Sequence, residues 1–310
     1  MHNNDANTVT LTRGDYIAVI DLQHGARCIS IRNKKYCASL LREPPEDKEP
    51  DDPYTYGMPI LFPVNRIDGG RFSFEERDYI FPINEPSSGS HLHGTLHGTP
   101  FYGISVSASK LKCRYTATKN KPYLLFPHEF SIDMEYELDG SGLTHTVTIT
   151  NNSPENMPVF LGFHTNFNTL FQKDSIPDNI RVSIDVTEEF ARDGIKHLPT
   201  GEILPLDAVS EALVSGNYNP FSEKISRHYR GTGKMSVSDL GCRLRVVYEN
   251  DEKYGFRMIY NGGDGYISLE PMSCLAGCQN SPFSRDEAGF DFLRAGEEKR
   301  YISRIYLEKF

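Results

Sequence analysis

Residues 143–150 read Leu-Thr-His-Thr-Val-Thr-Ile-Thr, so that large, mostly apolar side chains alternate with threonines. A similar alternation returns in residues 242–249 (Cys-Arg-Leu-Arg-Val-Val-Tyr-Glu) and in residues 301–307 (Tyr-Ile-Ser-Arg-Ile-Tyr-Leu). A period of two places a different set of side chains on each face of a β-strand. Strands with two chemically distinct faces are typical of antiparallel sheets. The sequence therefore predicts an all-β protein built from antiparallel strands.

The rest of the chain continues this pattern with few interruptions. Further candidate strands are short, rich in apolar residues and bounded by turn-forming residues; they cover 16–22, 27–32, 102–109, 130–138, 159–163, 179–186, 256–260 and 266–269. Helical periodicity is scarce, and the best candidate covers 206–214. Residues 43–56, which are acidic, and 215–234 are predicted to be long surface loops. Because strands resume after each loop, we predict one domain over residues 1–310, a large sandwich or barrel.

Composition excludes several classes of partner. The net charge of -9 argues against binding along a nucleic-acid backbone, which needs a clustered basic surface. The first residues contain no basic-then-apolar signal segment, and no apolar run has the length of a membrane span. The six cysteines include no CxxC pair and are expected to be reduced thiols. We therefore expect a cytoplasmic protein with neither nucleic acid nor a membrane as partner.

Polar groups are concentrated between residues 57 and 98, on turn-rich sequence of the kind that usually carries binding sites. Arg66 beside Asn65 could bind vicinal hydroxyls or a carboxylate, or Arg66 could simply form a structural salt bridge. His91, His93 and His97 could supply three nitrogen ligands to a metal. Alternatively, one of them donates to a sugar hydroxyl, or all three bond to the backbone of a glycine-rich turn.

Two later positions could exchange protons. His164 follows an apolar segment, and an imidazole titrates near neutrality, although a core histidine would fit the same pattern. Glu270 interrupts an apolar strand just before Pro271. Burial of a carboxylate is costly unless the group is paired or used, and desolvation would raise its pKa toward the range of a general base. A glutamate paired with an arginine at a sheet edge is the alternative.

These clusters, in this order, resemble the aldose 1-epimerase (galactose mutarotase) family. The matching motifs are Asn-Arg-Ile-x-x-Gly-x-Phe at 65–72, Leu-His-Gly at 92–94, His-x-x-Phe-Asn at 164–168 and Leu-Glu at 269–270, with Asn280 beyond. Weaker matches at 24–26, 198–202 and 293–297 extend the resemblance over nearly the whole chain. The resemblance implies a β-supersandwich of large antiparallel sheets, as a monomer or homodimer, with a small-molecule sugar bound in a cleft on one sheet.

The resemblance also implies roles for individual residues. His164 would be the general acid that protonates the ring oxygen, and Glu270 the general base that deprotonates the C1 hydroxyl, from opposite edges of a pyranose-sized hollow. The ring would open, the C1–C2 bond would rotate, and the ring would reclose from the other face. Arg66 and His93 would hold sugar hydroxyls with Asn65 in support. No metal and no redox cofactor would be required.

The chain departs from the family at two substrate-binding positions. Asn166, after the acid histidine, replaces a common tyrosine, and Ser226 replaces an aspartate in the Asp-x-x-aromatic segment. The loss of that carboxylate beside Arg227 and Arg230 leaves a phosphorylated or acidic sugar open as substrate. It also leaves open a non-catalytic carbohydrate-binding protein on the same fold. The third alternative is a metal-dependent isomerase that uses the three histidines between residues 91 and 97.

Overall fold

The computed structural model describes residues 7–45 and 53–310, and most of the regular structure in them is β-strand. The strands of the first third are β1 (Thr8–Arg13), β2 (Tyr16–Asp21), β3 (Arg27–Asn33), β4 (Ala38–Ser39), β5 (Ile60–Leu61), β6 (Arg66–Asp68), β7 (Arg71–Phe74), β8 (Arg77–Ile80) and β9 (Ser90–Leu92). Those of the middle third are β10 (Tyr102–Val106), β11 (Lys110–Ala117), β12 (Phe130–Leu138), β13 (Leu143–Asn151), β14 (Met157–Val159), β15 (Gly162–Phe163), β16 (Thr165–Asn168), β17 (Ile180–Ile184), β18 (Glu188–Arg192) and β19 (Pro199–Leu204).

The last third continues in the same way. Its strands are β20 (Ile225–Arg230), β21 (Gly233–Asp239), β22 (Leu244–Asn250), β23 (Phe256–Asn261), β24 (Tyr266–Met272), β25 (Asp291–Leu293) and β26 (Glu298–Lys309). The α-helix α1 (Ala208–Ser215) begins at Asp207, whose carboxylate accepts the Ser210 N–H, and ends at Gly216 in the left-handed conformation. Single 3-10 turns cover Leu96–Gly98, Pro177–Asn179 and Cys278–Asn280. None of the helices in the described ranges has the length and apolarity needed to cross a membrane.

Two large antiparallel sheets dominate the architecture. One, which we call the framework sheet, has the strand order β10-β11-β12-β13-β26-β22-β21-β17. The other, the site sheet, has the order β19-β18-β20-β23-β24-β15-β5, with β16 also pairing with β24. A four-stranded sheet of β1 to β4 and the pairs β6-β9, β7-β8 and β14-β25 complete the fold. The predicted all-β supersandwich of large antiparallel sheets is confirmed.

The predicted alternation sets the register of the framework sheet. β12 and β13 pair without a bulge from Phe130↔Asn151 to Leu138↔Leu143. Buried apolar side chains such as Ile132 and Val147 contribute to one hydrophobic core that draws on all the larger sheets. Burial of this apolar surface is the main favourable contribution to folding. The expectation that residues 1–310 form one domain stays a prediction.

The prediction of a loop over 215–234 is wrong from residue 225 onward, because that part contains β20, whereas residues 216–224 form no helix or strand. Ile225, His228 and Tyr229 of β20 are buried, while Arg227 and Arg230 form ion pairs. These paired arginines give the strand a polar composition that masks its alternation. The predicted loop over 43–56 falls partly on residues 46–52, which lie outside the described residues; around them no strand forms.

Register also decides which side chains share a face of the site sheet. Met258 pairs with Glu270 and with His228, so these three side chains project from the same face. Two residues along, Ser226 pairs with Tyr260, and Tyr260 pairs with Ser268. All seven residues of β24 are buried, so Glu270 lies in a strand that is covered on both faces.

Gly94 marks the point where the loop after β9 crosses the segment after β5. Its φ is +65°, and a Cβ built there would lie 1.8 Å from the carbonyl oxygen of Phe62. The backbone oxygen cannot move aside like a flexible side chain. Only glycine fits both the conformation and the space.

We expect Gly94→Ala to destabilise the fold far more than Gly296→Ala, the matched control. Gly296 also has a positive φ, +73°, but nothing lies within 4 Å of its Cβ position. The control should therefore lose only about 1–2 kcal/mol from the left-handed conformation. Gly94→Ala should lose about 2 kcal/mol more through overpacking, as measured by urea denaturation. Equal losses in the two variants would contradict the close approach at Phe62.

Candidate active site

His164 is the single residue that separates β15 from β16, and its side chain contacts Glu270. Thr165 pairs with Leu269, so His164 stands opposite Glu270 on the neighbouring strand. The Nε2 atom of His164 lies 3.4 Å from Oε1 of Glu270, and the side chains are 12% and 3% exposed. The two groups predicted to face each other across a hollow are therefore side-by-side neighbours, because their strands pair directly.

Asn166 determines which nitrogen of His164 carries a proton. Its amide nitrogen donates to the carbonyl oxygens of Tyr54, Gly57 and His164, at 2.7, 3.3 and 2.8 Å. The amide oxygen is thereby turned toward the hydroxyl of Ser268 at 2.7 Å and Nδ1 of His164 at 3.1 Å. An amide oxygen only accepts, so Nδ1 of His164 must be the donor. In the neutral imidazole, Nε2 is then the basic nitrogen that faces Glu270.

The predicted substrate-binding role of Asn166 does not fit this arrangement. Its side chain is fully buried, and both of its polar atoms are used within the protein. Asn166 instead orients His164 and ties β16 to β24 and to the segment at Tyr54. Asn166 lies two residues after His164, so strand alternation places the two side chains on the same face.

Glu270 lies in an environment that disfavours its charged form. Burial raises the pKa of its carboxyl, and the nearby positive charges of His164, Arg192 and Arg66 oppose that rise. When His164 is protonated and Glu270 ionised, the two form an ion pair within the site. That is the state with an acid proton on Nε2 and a free carboxylate beside it.

His93 and Asn65 hold each other in the left-handed region of backbone conformation. Their φ angles are +60° and +59°. The His93 N–H donates to the Asn65 carbonyl at 3.0 Å, and the Asn65 N–H donates to Nδ1 of His93 at 3.2 Å. Nδ1 of His93 is therefore the acceptor, and Nε2 carries the proton of the neutral ring. Burial and the neighbouring His164 hold the pKa of His93 well below its usual value.

The positive charge of Arg66 is balanced by the carboxylate of Glu85. Its Nε and Nη2 donate to the two carboxylate oxygens of Glu85, both at 2.6 Å. This forked geometry is the strong form of an arginine–carboxylate pair. The salt bridge that the sequence left as an alternative is therefore present. Glu85 does not contact Nη1 of Arg66, so the N–H groups of that nitrogen are donors for another group.

Tyr54 is a site residue for which the sequence contained no signal, because it lies at the end of the predicted acidic loop. Its ring centroid is 4.8 Å from that of His93, 4.7 Å from that of His97 and 6.3 Å from that of His164. An aromatic ring that is half-buried among three imidazoles offers an apolar wall to a ligand.

Arg192, at the end of β18, is the second such residue. The Nη2 atom of Arg192 donates to the carbonyl oxygen of Ser226 and also to its hydroxyl, which lies at 3.0 Å. Its Nη1 atom lies 3.7 Å from the sulfur of Met258. Ser226, one of the predicted substrate-binding residues, is exposed, and its hydroxyl accepts from this guanidinium. A β-bulge between Phe190 and Arg192 interrupts the pairing of β18 with β19, and such bulges redirect side chains.

The two arginines singled out in the sequence lie elsewhere in ion pairs. Arg227 contacts Glu189 and Asp207, both at 2.9 Å, and Arg230 contacts Glu188 at 2.8 Å. Neither is among the charges that act on Glu270.

The three clustered histidines do not assemble a metal site. Nδ1 of His91 lies 2.7 Å from the Pro82 carbonyl, and its ring packs on Phe81. His93 and His97 instead flank Tyr54. Within residues 7–45 and 53–310, no three His, Cys, Asp or Glu side chains are grouped as metal ligands.

Comparisons with known proteins agree on one family. Residues 7–306 match the family model described as aldose 1-epimerase. The structure of a galactose mutarotase-like protein from Clostridium acetobutylicum superposes with a TM-score of 0.93 at 27% identity, covering 98% of this chain and 95% of that one. A putative aldose 1-epimerase from Escherichia coli K12 gives a TM-score of 0.78 at 18% identity, covering 98% and 99%. A GalM/aldose epimerase homologue from C. elegans gives 0.77 at 14% identity, covering 97% and 98%.

The hydrogen bond from Asn65 predicts the state of His93 in solution. Long-range 1H–15N correlation spectra should show His93 as the neutral Nε2–H tautomer throughout about pH 5 to 8, the range in which an unperturbed histidine titrates. Its low pKa follows from burial and the neighbouring imidazole. The spectrum of His93→Gln assigns the signal. Titration of His93 inside that range would contradict the buried, acceptor role of its Nδ1.

Proposed function

Because the chain belongs to the aldose 1-epimerase family, we propose that it is an isomerase that interconverts the α and β anomers of an aldose by acid–base opening of the hemiacetal ring. The observation that carries the proposal is the contact between His164 and Glu270. The C1 hydroxyl and the ring oxygen are bonded to the same carbon. An acid and a base that serve them must therefore lie close together, as these two groups do at 3.4 Å.

The opening step moves two protons. Glu270, as a carboxylate, takes the proton of the C1 hydroxyl, while protonated His164 delivers its Nε2 proton to the ring oxygen. The bond between C1 and the ring oxygen breaks, C1 becomes an aldehyde, and the ring oxygen becomes the C5 hydroxyl. Glu270 is left protonated, and His164 is left neutral with its proton on Nδ1, held by Asn166.

Reclosure reverses these transfers after rotation about the C1–C2 bond. His164 takes the proton from the C5 hydroxyl as that oxygen attacks C1 from the other face. Glu270 returns its proton to the aldehyde oxygen, which becomes the new C1 hydroxyl. The enzyme regains its starting protonation state. No electrons are transferred in either direction, so the chemistry requires no redox cofactor.

The neighbouring groups hold the sugar while the protons move. The Nη1 edge of Arg66, Nε2–H of His93 and the hydroxyl of Ser226 are donors for sugar hydroxyls. The ring of Tyr54 offers an apolar wall beside His93 and His164. Asn65 and Asn166 act through their neighbours, because their own polar atoms bond within the protein. Fixing the ring in this way brings the reacting oxygens within reach of the acid and the base.

Glu270→Gln and His164→Gln should each lower the catalysed rate of anomer exchange about 10²- to 10⁴-fold, since each removes one proton-transfer group. Polarimetry and NMR exchange spectroscopy, corrected for the uncatalysed reaction, measure the rate. Glutamine keeps the shape of glutamate, so saturation-transfer NMR should still detect sugar bound to Glu270→Gln. Glu137→Gln, at an exposed pair on the framework sheet, is the matched control and should be unchanged.

Two outcomes would contradict the proposal. An unchanged rate in Glu270→Gln would remove this residue from the reaction. A sugar that binds to the unaltered protein with no acceleration of anomer exchange would instead support the carbohydrate-binding alternative.

The dependence of kcat/KM on pH should reveal the ionisation of Glu270. The base must be ionised, so kcat/KM should fall as pH falls through the pKa of this carboxyl in the free enzyme. Because burial raises that pKa, the midpoint should lie above about 4.3, the usual value for glutamate. A profile that stays flat through this region, in a protein that circular dichroism shows to be folded, would contradict the assignment of the base.

A further inference from the structure

We propose that Arg192 forms an anion-binding subsite beside the acid–base pair, and that the substrate is an aldose carrying a negative charge. The charge would be a carboxylate at C5 or a phosphate on the C6 oxygen. Both groups present the paired oxygens that a guanidinium binds. The inference rests on the proposed function, because it concerns the same cleft.

Arg192 has no carboxylate partner among the residues that the structure describes. Its polar contacts are the carbonyl oxygen and the hydroxyl of Ser226 and the sulfur of Met258. All three are uncharged, and a thioether is a weak acceptor. These contacts involve Nη1 and Nη2 and leave Nε, with part of the guanidinium edge, to a ligand. A partly buried cation held only by neutral groups is costly unless something else balances its charge.

The neighbouring carboxylates already have other cations. Glu189, whose charge acts on Arg192, is held 2.9 Å from Arg227 and accepts from the Ser210 hydroxyl. Glu85 is held by Arg66 through two hydrogen bonds. Glu270, whose charge also acts on Arg192, lies 3.4 Å from His164, which pairs with it when the imidazole is protonated. Arg66 and Arg192 therefore bring two positive charges to the cleft, of which the charge of Arg66 is matched by its own carboxylate.

His228, a buried histidine close to Arg192, adds no further charge. His228 lies under this region with its ring against Phe190 and Phe256, and both of its ring nitrogens are buried without a hydrogen-bond partner. Burial, with Arg192 nearby, lowers the pKa of His228 to about 3. It is neutral at physiological pH and therefore adds no positive charge to that of Arg192.

Register brings the side chain of Arg192 next to the strand that bears Glu270. Arg192 contacts Met258, and Met258 is paired directly with Glu270. The side chain of Arg192 therefore extends over β20 to the strand that pairs with β24, and its charge acts on Glu270. In a pyranose, C5 is bonded to the ring oxygen that His164 protonates. A carboxylate on C5, or a phosphate one carbon further, stays inside the same cleft.

Residue 226 keeps the guanidinium available to an anion. The Ser226 hydroxyl accepts one hydrogen bond from Arg192 at 3.0 Å without neutralising it. A carboxylate at this position would form a salt bridge with Arg192 and would repel a negatively charged sugar. Ser226→Asp is therefore expected to oppose the subsite even though Arg192 is still present.

The test compares neutral, carboxylate-bearing and phosphate-bearing sugars on the full chain. NMR exchange spectroscopy gives kcat/KM for glucose and galactose, for glucuronate and galacturonate, and for glucose 6-phosphate and galactose 6-phosphate. We expect at least one anionic class to exceed its neutral parent tenfold. Which class does so distinguishes a carboxylate from a phosphate as the bound group.

Variants then assign the preference to Arg192. Arg192→Met and Ser226→Asp should each lower kcat/KM for the preferred anionic sugar at least tenfold more than for its neutral parent. Arg192→Lys should retain an intermediate preference, because it keeps the charge but not the fork. Arg230→Met, which removes a similarly buried arginine of the site sheet that pairs with Glu188, is the matched control and should keep the preference. Thermal melting confirms that each variant is folded.

Three outcomes would overturn the inference. One is a preference for neutral sugars in the unaltered protein. Another is an anionic preference that survives Arg192→Met in a folded variant. The third is an equal loss for anionic and neutral sugars accompanied by a shifted acid limb, which would mean that Arg192 acts only on Glu270. Fast exchange of neutral sugars alone leaves the proposed function intact. If no sugar is turned over, tighter binding of an anionic sugar that Arg192→Met abolishes would support the subsite while the epimerase proposal fails.

Discussion

The contact between His164 and Glu270 depends on a carboxylate held in a strand that is buried on both faces. Such a group is costly to desolvate, and a nearby cation offsets part of that cost. The pairing of β16 with β24 places the imidazole within reach before any ligand arrives. The geometry of this contact is therefore a property of sheet register, and the hydrophobic core that stabilises the two large sheets also maintains the candidate site.

A second constraint is a set of hydrogen bonds that determines which ring nitrogen of His164 and of His93 carries the proton. Asn166 donates to backbone carbonyls on one side, so its oxygen faces Ser268 and His164 on the other. The same residue thus links the segment at Tyr54, the strand that bears Glu270 and the imidazole of His164. Asn65 acts in a similar way on His93, through two residues with positive φ. In both cases, a buried asparagine or its backbone sets the tautomer of an imidazole at the surface of the cleft.

Two arginines near the candidate site differ in whether a carboxylate balances their charge. Arg66 is neutralised by Glu85, so it offers hydrogen-bond donors with little net field. Arg192 rests on the neutral groups of Ser226 and Met258 and retains its positive potential. Both lower the pKa of Glu270 relative to burial alone. In the proposed function, the ionisation of Glu270 and the recognition of substrate are therefore coupled, because a charge that binds a ligand also influences the ionisation of the carboxylate.

The sequence by itself determined the fold class and the two proton-transfer candidates. Alternation such as that of residues 143–150 is a local property with a period of two, so it can be read without knowing which strands pair. His164 and Glu270 stand out because ionisable groups are unexpected beside apolar strands. Local pattern failed at β20, where Arg227 and Arg230 disguise the strand by pairing with acids distant in sequence. It also contained no signal for Tyr54, Arg192 or the orienting role of Asn166. Those depend on pairing, on a bulge and on contacts between residues as far as 112 positions apart, which only the tertiary structure decides.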